Sequence, residues 1–282
     1  MTITTKDELE LALDSRYTTH IGSKASIANA LAGHFMSTWP SAGLPSTGAI
    51  PTSTASVLAN GTLGGFVFMT QTAPLTSYLA EIEYTSGLQN NTLEIHDRLA
   101  HAGGLSGTLT TVQTVTSLDL LTLAGTANID ARKGDANYSD VQWWLEIFSD
   151  LGSTGATATV NVTYNDGTTG NLTGTPIGNN DRRLGRMIPL NPLVPVADTG
   201  KFIRGINSVQ LSASTTTAGN FGFVATRYRG SVFAEQANER YRKTWTEIGM
   251  PNIVNNSCLF MIVLCSGTAT GTTTAKLKII YG

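Results

Sequence analysis

Apolar and polar residues alternate along much of this chain, and the alternation is clearest over residues 158–164. In that segment alanine, valine and tyrosine occupy one side, while threonine and asparagine occupy the other, as expected for a strand with one buried face. The next residues, Asn165, Asp166 and Gly167, supply the positive φ angles that a tight hairpin turn needs. The pattern predicts a β-hairpin with one face in the core and the other covered by threonine.

Short apolar or alternating runs, separated by glycine, asparagine, aspartate and threonine, continue through the rest of the chain. Such spacing is typical of a many-stranded antiparallel fold. Further strands are predicted at residues 65–70, 79–84, 92–98, 111–118, 141–148, 187–190, 202–205, 208–212, 221–227, 258–265 and 275–281. Long loops are predicted at residues 99–109, 123–139, 171–186 and 229–256. Since no long helix separates the strands, they favour an all-β fold, an antiparallel β-sandwich or a jelly roll, over a parallel α/β sheet.

Two short helices are predicted near the N-terminus. Thr5 followed by Glu8 is a capping box, which predicts a helix over residues 5–17. Apolar residues at helical spacing predict a second helix over residues 26–35, which ends before a Trp-Pro pair.

A different composition follows these helices. Residues 40–56 are rich in proline and small polar residues and favour an extended path. We therefore expect residues 1–56 to form an N-terminal arm that lies on this subunit or on a neighbour. Residues 57–282 are expected to form the β-sandwich domain.

Charge is scarce in this chain. Only 13% of the 282 residues are charged, against about 25% in ordinary soluble domains, whereas threonine (42 residues) and glycine (29 residues) are abundant. A folded chain with so few charges is expected to bury much of its outer surface against other subunits. The composition predicts a component of an assembly and a homo-oligomer, with a trimer as one candidate state.

Nucleic acid and membranes are not expected as partners. The 18 basic and 20 acidic residues are evenly spread and give a net charge of −2, so no basic face for phosphate is indicated. No run approaches the roughly 18 apolar residues of a membrane span, and the N-terminus has no basic start followed by an apolar stretch. We expect the chain to fold in a cytoplasm.

The two cysteines, Cys258 and Cys265, lie in one apolar segment. In a strand they would be about 23 Å apart and would point to opposite faces, so they cannot form a disulfide with each other. They are predicted to be buried, inert thiols.

Histidines offer little basis for a metal site. His96, next to Asp97, and His101 are the closest histidine pair, but a spacing of five residues places two side chains on opposite sides of a strand. The remaining histidines, His20 and His34, lie in the predicted arm, and zinc needs further nitrogen or sulfur ligands. We expect neither a metal nor a cofactor, and a histidine bonded to Asp97 or to the main chain is the simpler interpretation.

Two patterns typical of hydrolases are also incomplete. Residues 104–108 resemble a nucleophile elbow around Ser106, but the final glycine of that motif and the following helix are missing. A glycosidase needs two carboxylates that face each other across a cleft, and the predicted strands offer Glu81, Glu83, Glu94, Asp97 and Glu146. Glu81 and Glu83 share a strand face, yet a β protein of this size offers such pairs by chance. The chain is predicted not to be an enzyme, with a carbohydrate-active β-sandwich as the enzymatic alternative.

Aromatic and basic residues are interleaved in the long segment 229–256. Tyr241 and Trp245, with Arg242 between them, could stack on a sugar or anchor a protein contact, where aromatic residues and arginine are enriched. The low surface charge favours the protein contact. The candidate interface residues are Trp39, Leu44, Ile50, Tyr241, Arg242 and Trp245.

The chain resembles structural proteins of tailed-bacteriophage particles, of the capsid decoration or cement type. The segments that carry the resemblance are Trp39-Pro40-Ser41-Ala42-Gly43, His96-Asp97-Arg98-Leu99 followed by Gly103-Gly104-Leu105-Ser106-Gly107-Thr108, Thr199-Gly200 with Ala218-Gly219-Asn220-Phe221-Gly222, and the segment from Cys258 to Cys265 followed by Ser266-Gly267-Thr268. The resemblance implies an all-β virion protein that is made in the host cytoplasm and binds the major capsid protein or other virion subunits. The leading hypothesis is a cement protein on the head lattice, and the alternative is a tail or fibre component that binds a host-surface glycan.

Overall fold

Strands dominate the architecture of the chain, for which a computed structural model describes residues 3–67, 70–72, 76–125 and 128–282. The strands in these ranges are β1 (Tyr17–Lys24), β2 (Phe35–Ser37), β3 (Gly43–Leu44), β4 (Val57–Leu58), β5 (Ser77–Ser86), β6 (Asn91–Leu105), β7 (Gln113–Asp119), β8 (Val141–Ser149), β9 (Ala156–Tyr164), β10 (Thr169–Ile177), β11 (Arg186–Pro189), β12 (Ile203–Leu211), β13 (Asn220–Ala234), β14 (Arg240–Thr244), β15 (Asn252–Ile253), β16 (Leu259–Leu264) and β17 (Thr273–Tyr281). The helices there are α1 (Lys6–Asp14), α2 (Ile129–Arg132) and α3 (Trp245–Ile248), with 3-10 turns at Gly61–Leu63, Asn191–Leu193 and Val196–Asp198. Within the described ranges no helix is long and apolar enough to cross a membrane. The named strands pair antiparallel, which confirms the predicted all-β antiparallel fold.

Six strands close into a ring. They follow the order β13, β8, β11, β2, β16 and β6, and a direct pairing of β6 with β13 closes the path. These two are the longest strands of the ring, with 15 residues each. A closed sheet leaves few unpaired backbone groups at its edges, so the ring is a stable scaffold for the rest of the chain.

Two further sheets pack against the ring and create two apolar cores. The four-stranded sheet has the order β10, β9, β12, β7, and its Val162 lies in the same core as Leu145 of the ring. The six-stranded sheet has the order β14, β5, β17, β1, β3, with β15 beside β5, and its Leu277 shares a second core with Met261 of the ring. The ring is therefore a wall common to both cores.

A third apolar cluster lies inside the ring and follows from strand alternation. In β8, Trp143 and Leu145 point outward into the core with the four-stranded sheet, whereas Trp144 and Phe148 point inward. Phe260 of β16 reaches the same interior cluster. Two adjacent tryptophans thus serve two different cores.

The predicted hairpin is confirmed, because β9 and β10 pair on either side of the Asn165–Gly167 turn. The segments predicted as strands at 202–205 and 208–212 form the single strand β12, whose register shifts near Ile206. Strands β6 and β13 continue into residues that were predicted as loops, because their ends also pair with each other. Of the segment predicted at 65–70, Phe66 bridges to Leu259, while residues 68–69 lie outside the described ranges.

The prediction of the first helix is confirmed by α1 and its capping box, but the second helix, over residues 26–35, is wrong. The main chain there bonds to a distant segment instead of to itself. Ile27 donates to the hydroxyl of Thr270 at 2.8 Å and accepts from its N–H at 3.0 Å. Gly33 donates to the carbonyl of Cys265 at 2.8 Å. These partners replace the bonds that a helix would require.

Much of the predicted N-terminal arm belongs to the sheets of its own chain. Strand β1 pairs along its whole length with β17, and β2 lies between β11 and β16. The domain boundary at residue 56 stays a prediction, while β1 and β2 are structural strands rather than a detachable segment.

Candidate assembly surface

The outer face of the six-stranded sheet carries an ordered set of charged residues. Strands β14, β5, β17 and β1 lie side by side, so residues in register form rows across them. In one row Arg242 lies opposite Glu83, Glu83 opposite Lys276, and Lys276 opposite Ile21. We use the name basic sheet face for the group Glu81, Glu83, Arg240, Arg242, Lys276 and Lys278.

Ion pairs connect these residues without neutralising them. Arg240 Nη2 lies 2.5 Å from Glu83 Oε1, and Lys276 Nζ lies 3.6 Å from Glu83 Oε2. Arg242 Nη1 is 3.7 Å from Glu81 Oε2. Four cations against two carboxylates give this face a net charge of about +2, although the chain as a whole carries −2. Glu83 is buried, but the side chains of Arg240, Arg242 and Lys276 are 64%, 54% and 40% exposed, so the positive charges of this face are open to solvent.

Helix α1 covers one end of this sheet. Ala12 packs against Ala80 of β5 and Ile280 of β17. The Lys278 ammonium donates to a carbonyl in the last turn of α1 at 2.7 Å and lies 4.1 Å from the ring centre of Tyr17. A cation at the C-terminal end of a helix is favourable, so Lys278 helps to hold α1 on the sheet.

Exposed apolar side chains lie beside the basic sheet face, on α1, β1 and β3. Leu44 on β3 is 66% exposed and Ile21 on β1 is 61% exposed, while Leu11 and Tyr17 are each 43% exposed. Among the described residues, thirteen large hydrophobic side chains are exposed, and these four lie on one side of the molecule. Apolar groups gathered beside charged ones are typical of protein contact surfaces.

The predicted interface residues fall in different environments. Arg242 and Leu44 lie on the outer side of the six-stranded sheet. Tyr241 packs against the core on the inner side, and its hydroxyl accepts from the N–H of Gln236 at 2.8 Å. Trp245 begins α3 and is 37% exposed. Tyr241 and Trp245 thus do not form one exposed aromatic pair.

Trp39 and Ile50 are used inside the chain. Trp39 is fully buried, donates from Nε1 to the carbonyl of Ala49 at 3.0 Å, and lies 4.4 Å from the guanidinium carbon of Arg98. Ile50 is partly buried against the cluster inside the ring. The Trp39 side chain, which was predicted to lie in an interface, is therefore too deeply buried to contact a partner.

A charged pair is buried inside the ring, where the sequence suggested no such group. Arg98 Nη2 lies 2.8 Å from Glu146 Oε2, an ion pair without an aligned hydrogen bond. Arg98 Nε donates to His101 Nδ1 at 2.8 Å, and the guanidinium also lies 5.3 Å from the ring of Phe260. Burial lowers the pKa of His101 well below its usual range, and the Arg98 charge lowers it further. Arg98 is therefore held by one carboxylate, one neutral imidazole and aromatic rings.

Asp97, on the opposite side of β6, is the centre of a second buried cluster. It accepts from Arg132 at 2.7 and 3.1 Å and from the N–H of Cys258 at 2.8 Å, and Arg229 Nη2 lies 3.7 Å away. Burial alone would raise the pKa of Asp97, but the charges of both arginines and these hydrogen bonds lower it overall. Burial lowers the pKa of Arg229 to about 10. The cluster connects α2, β6, β13 and Cys258, the residue just before β16.

The residues considered for catalysis or metal binding are engaged in structural contacts. His96 bonds to Glu94 at 2.9 Å and to Thr226 at 3.1 Å, rather than to Asp97. The Ser106 hydroxyl bonds to that of Thr108 at 2.9 Å. Among the described side chains, no group of three or more histidine, cysteine, aspartate or glutamate residues is placed to share a metal ion.

Both cysteines are buried free thiols, as predicted. Cys258 belongs to the cluster inside the ring and Cys265 to the core with the six-stranded sheet, so they face different sides. Burial raises the pKa of each thiol to about 12. Both thiols are therefore poor nucleophiles at neutral pH.

The outer face of the four-stranded sheet is polar, as its alternation predicted. Asn161 donates to Asn171 at 2.8 Å and accepts from Asn207 at 2.9 Å, and Thr163 donates to Asn207 at 3.1 Å. These bonds link three neighbouring strands through their side chains. The two outer sheets thus present different surfaces, one made of amides and hydroxyls and the other of charges and exposed apolar groups.

Sequence reasoning missed Leu11, Tyr17 and Ile21. The alternation in β1 gives a weak signal, because its inward positions are occupied by threonine, histidine, glycine and lysine instead of large apolar residues. Gly22 is required there, since a side chain would meet the ring of Phe66 at 2.5 Å. A strand whose larger apolar residues point outward is not recognised as a strand of the core.

Comparison with known proteins gives little that is specific. No protein-family model and no curated protein sequence matches the chain. Among solved structures, the VP2 subviral particle of infectious bursal disease virus is 10% identical, with 95% of this chain and 80% of that chain covered and a TM-score of 0.18. The structure of the Gx strain of the same virus is 11% identical, with 95% of this chain and 81% of that chain covered and a TM-score of 0.18. The T13 particle of this virus is 10% identical, with 95% of this chain and 78% of that chain covered and a TM-score of 0.19. TM-scores below 0.5 do not establish a shared fold.

Proposed function

We propose that this chain is a non-enzymatic structural subunit of a virus particle, and specifically a decoration or cement protein on the capsid of a tailed bacteriophage. The observation that carries the proposal is the outer side of the six-stranded sheet, where Ile21 and Leu44 are exposed next to the basic sheet face. A charged and apolar surface on a rigid sheet suits a lasting contact with another protein. The resemblance in the Trp39–Gly43 and Cys258–Thr268 segments supports the choice of a phage particle.

The arrangement of the ionisable interior supports a structural role. Asp97, Glu146 and His101 are buried and bound to arginines, so each already has a partner within the fold. Buried charges with such contacts fix the relative positions of strands. The groups that could carry acid or base chemistry thus support the ring.

The proposed partners are the major capsid protein or other virion subunits, together with further copies of this chain. Assembly would take place in the host cytoplasm, and the mature location would be the virion. Stable specific contacts bury about 800 Å² per partner.

The first test is the copy number of the chain in purified phage particles, measured by quantitative mass spectrometry against the major shell subunit. We expect hundreds of copies, as lattice decoration requires. A few to a few dozen copies would place the chain in the neck, tail or fibres, and its absence would contradict a virion role.

A second test uses purified protein added to capsids that lack it. Ile21→Asp places a charge in the exposed apolar surface, and we expect it to reduce capsid occupancy. Val196→Asp is the matched control, because Val196 is 90% exposed on the 3-10 turn Val196–Asp198, away from the six-stranded sheet. Equal loss of occupancy by both variants would contradict the assigned surface.

The alternative, a tail or fibre component that binds a host-surface glycan, rests on the exposed indole of Trp245. Aromatic faces stack on sugars, but the inward position of Tyr241 removes the second ring of such a site. Trp245→Ala should leave adsorption to cells unchanged if the chain is a cement protein. Loss of adsorption with normal incorporation into particles, and no such loss for the exposed control Phe233→Ala, would support the glycan-binding alternative.

A further inference from the structure

The outer side of the six-stranded sheet is only partly covered by its own helix. Helix α1 lies at the end of the sheet near Ala80 and Ile280. From Lys278 to Thr274, its last outward-facing residue, strand β17 continues for four residues beyond the helix, about 13 Å at 3.3 Å per residue. An α-helix with its side chains is about 10–12 Å wide. The uncovered part of the sheet therefore has room for one more helix beside α1.

The charges of α1 and of the uncovered sheet are opposite. Helix α1 carries four carboxylates, those of Asp7, Glu8, Glu10 and Asp14, against the single cation Lys6, a net charge of about −3. Lys278 lies under the end of α1, in one row with Glu81. The rest of the basic sheet face has the three cations Arg240, Arg242 and Lys276 against the carboxylate of Glu83, a net charge of about +2. Charge complementarity of this kind selects a partner and fixes its orientation.

Apolar residues are divided between the same two surfaces. Leu11 is exposed on α1, and Ile21 and Leu44 are exposed beside the basic sheet face. Within the described part of the chain Ile21 and Leu44 stay more than 60% exposed, and Leu11 does not belong to the cluster in which Ala12 contacts the sheet. A contact between the helix of one copy and the sheet of another would bury all three.

We propose that the uncovered sheet binds helix α1 of a second copy of this chain, and that the second copy binds the first in the same way. The contact is two-fold symmetric, because one surface carries both the acidic helix and the basic sheet face, and it closes with two subunits. The two helices then lie side by side between two sheets. This inference names a partner for the proposed assembly surface and so rests on the proposed structural role.

The contact assigns roles to particular side chains. Leu11 of one subunit packs on Ile21 of the other, and the Glu10 carboxylate of one subunit faces the Arg242 guanidinium of the other. The reciprocal arrangement doubles the effect of each substitution, because every residue acts twice. It also makes the dimer weaker at high salt, since the charged part of the contact is screened.

Sedimentation equilibrium of the full chain tests the inference. We expect a dimer for the wild type, a dissociation constant raised about tenfold or more by Ile21→Asp, and no change for the exposed control Val196→Asp. Glu10→Lys should weaken the dimer, and combining it with Arg242→Glu should restore it. Circular dichroism checks that each variant is folded, and the rescued pair gives a result that does not depend on how Ile21→Asp folds.

A wild-type chain that is monomeric or trimeric at all accessible concentrations would overturn the two-fold contact. So would an Ile21→Asp variant that dimerises like the wild type, or a double variant that shows no rescue. The copy number in particles is a separate measurement. A chain that is monomeric but present on capsids would contradict the two-fold contact and would be consistent with the structural role. A chain that is dimeric but absent from particles would contradict the structural role.

Discussion

Replacing Asp97 with asparagine keeps the shape of the side chain but removes the negative charge that faces Arg132 and Arg229 in the interior. The carboxylate accepts from Arg132 at 2.7 and 3.1 Å and from the Cys258 N–H at 2.8 Å. An asparagine has one acceptor oxygen, so its NH₂ group must face a donor of Arg132 or Cys258. At least one buried donor is then left without an acceptor.

Two effects determine how far the Asp97→Asn substitution lowers the free energy of unfolding. An unsatisfied buried donor costs about 1–3 kcal/mol, and breaking a buried ion pair costs about 3–5 kcal/mol. Because both describe the same broken contacts, they overlap, and we expect the free energy of unfolding to fall by about 3–5 kcal/mol. The total free energy of unfolding of a natural protein is about 5–15 kcal/mol, so the variant should be strongly destabilised at pH 7.

Urea unfolding at pH 7, followed by tryptophan fluorescence, measures this change. The matched control is Asp150→Asn, which breaks a partly exposed ion pair with Arg183, also at 2.7 Å. The control should lose at most about 1 kcal/mol, because solvent screens the pair. An equally small loss in Asp97→Asn would show that the buried cluster does not hold the strands together.

Three further predictions concern the interior. The imidazole of His101 binds a proton near pH 6.5 in the unfolded chain, but its pKa is lower in the folded chain. The free energy of unfolding should therefore be greatest above pH 6.5 and fall as the pH decreases below it. In urea titrations between pH 5 and 7, His101→Asn should make this dependence on pH less steep. Burial raises the pKa of the Cys258 and Cys265 thiols to about 12. Iodoacetamide at pH 8 should therefore leave both unmodified in the folded chain and modify both in urea, which mass spectrometry would measure. Gly152→Ala should yield little soluble protein, since its Cβ would lie 1.4 Å from a backbone oxygen, whereas Gly267→Ala, with no atom within 4 Å, should express like the wild type.

The sequence was sufficient for features that depend on local patterns. The alternation over residues 158–164 and the turn at Gly167 determine the β9–β10 hairpin with little help from the rest of the chain. The capping box of Thr5 and Glu8 likewise determines the start of α1. Such features can be recognised because the hydrogen bonds and the apolar face that define them come from residues that are close together in the sequence.

Long-range contacts could not be predicted in this way. Residues 26–35 have helical spacing, yet the bonds between Ile27 and Thr270 override it, and these residues are 243 positions apart. The same holds for Asp97 and Arg132, whose contact depends on α2 packing against β6. The basic sheet face was missed for a similar reason, since its rows exist only after four separate strands have aligned.

The pairing of β1 with β17 has a consequence for the order in which the chain folds. Tyr17 lies opposite Ile280, so the six-stranded sheet cannot be completed until residues 273–281 have left the ribosome. Until then β1 can pair only with the two residues of β3, so most of its edge is open to other chains. Pairings across such long loops are slow to form. A nascent chain of this topology spends most of its synthesis incomplete, and its yield in a cell depends on how well that interval is protected from aggregation.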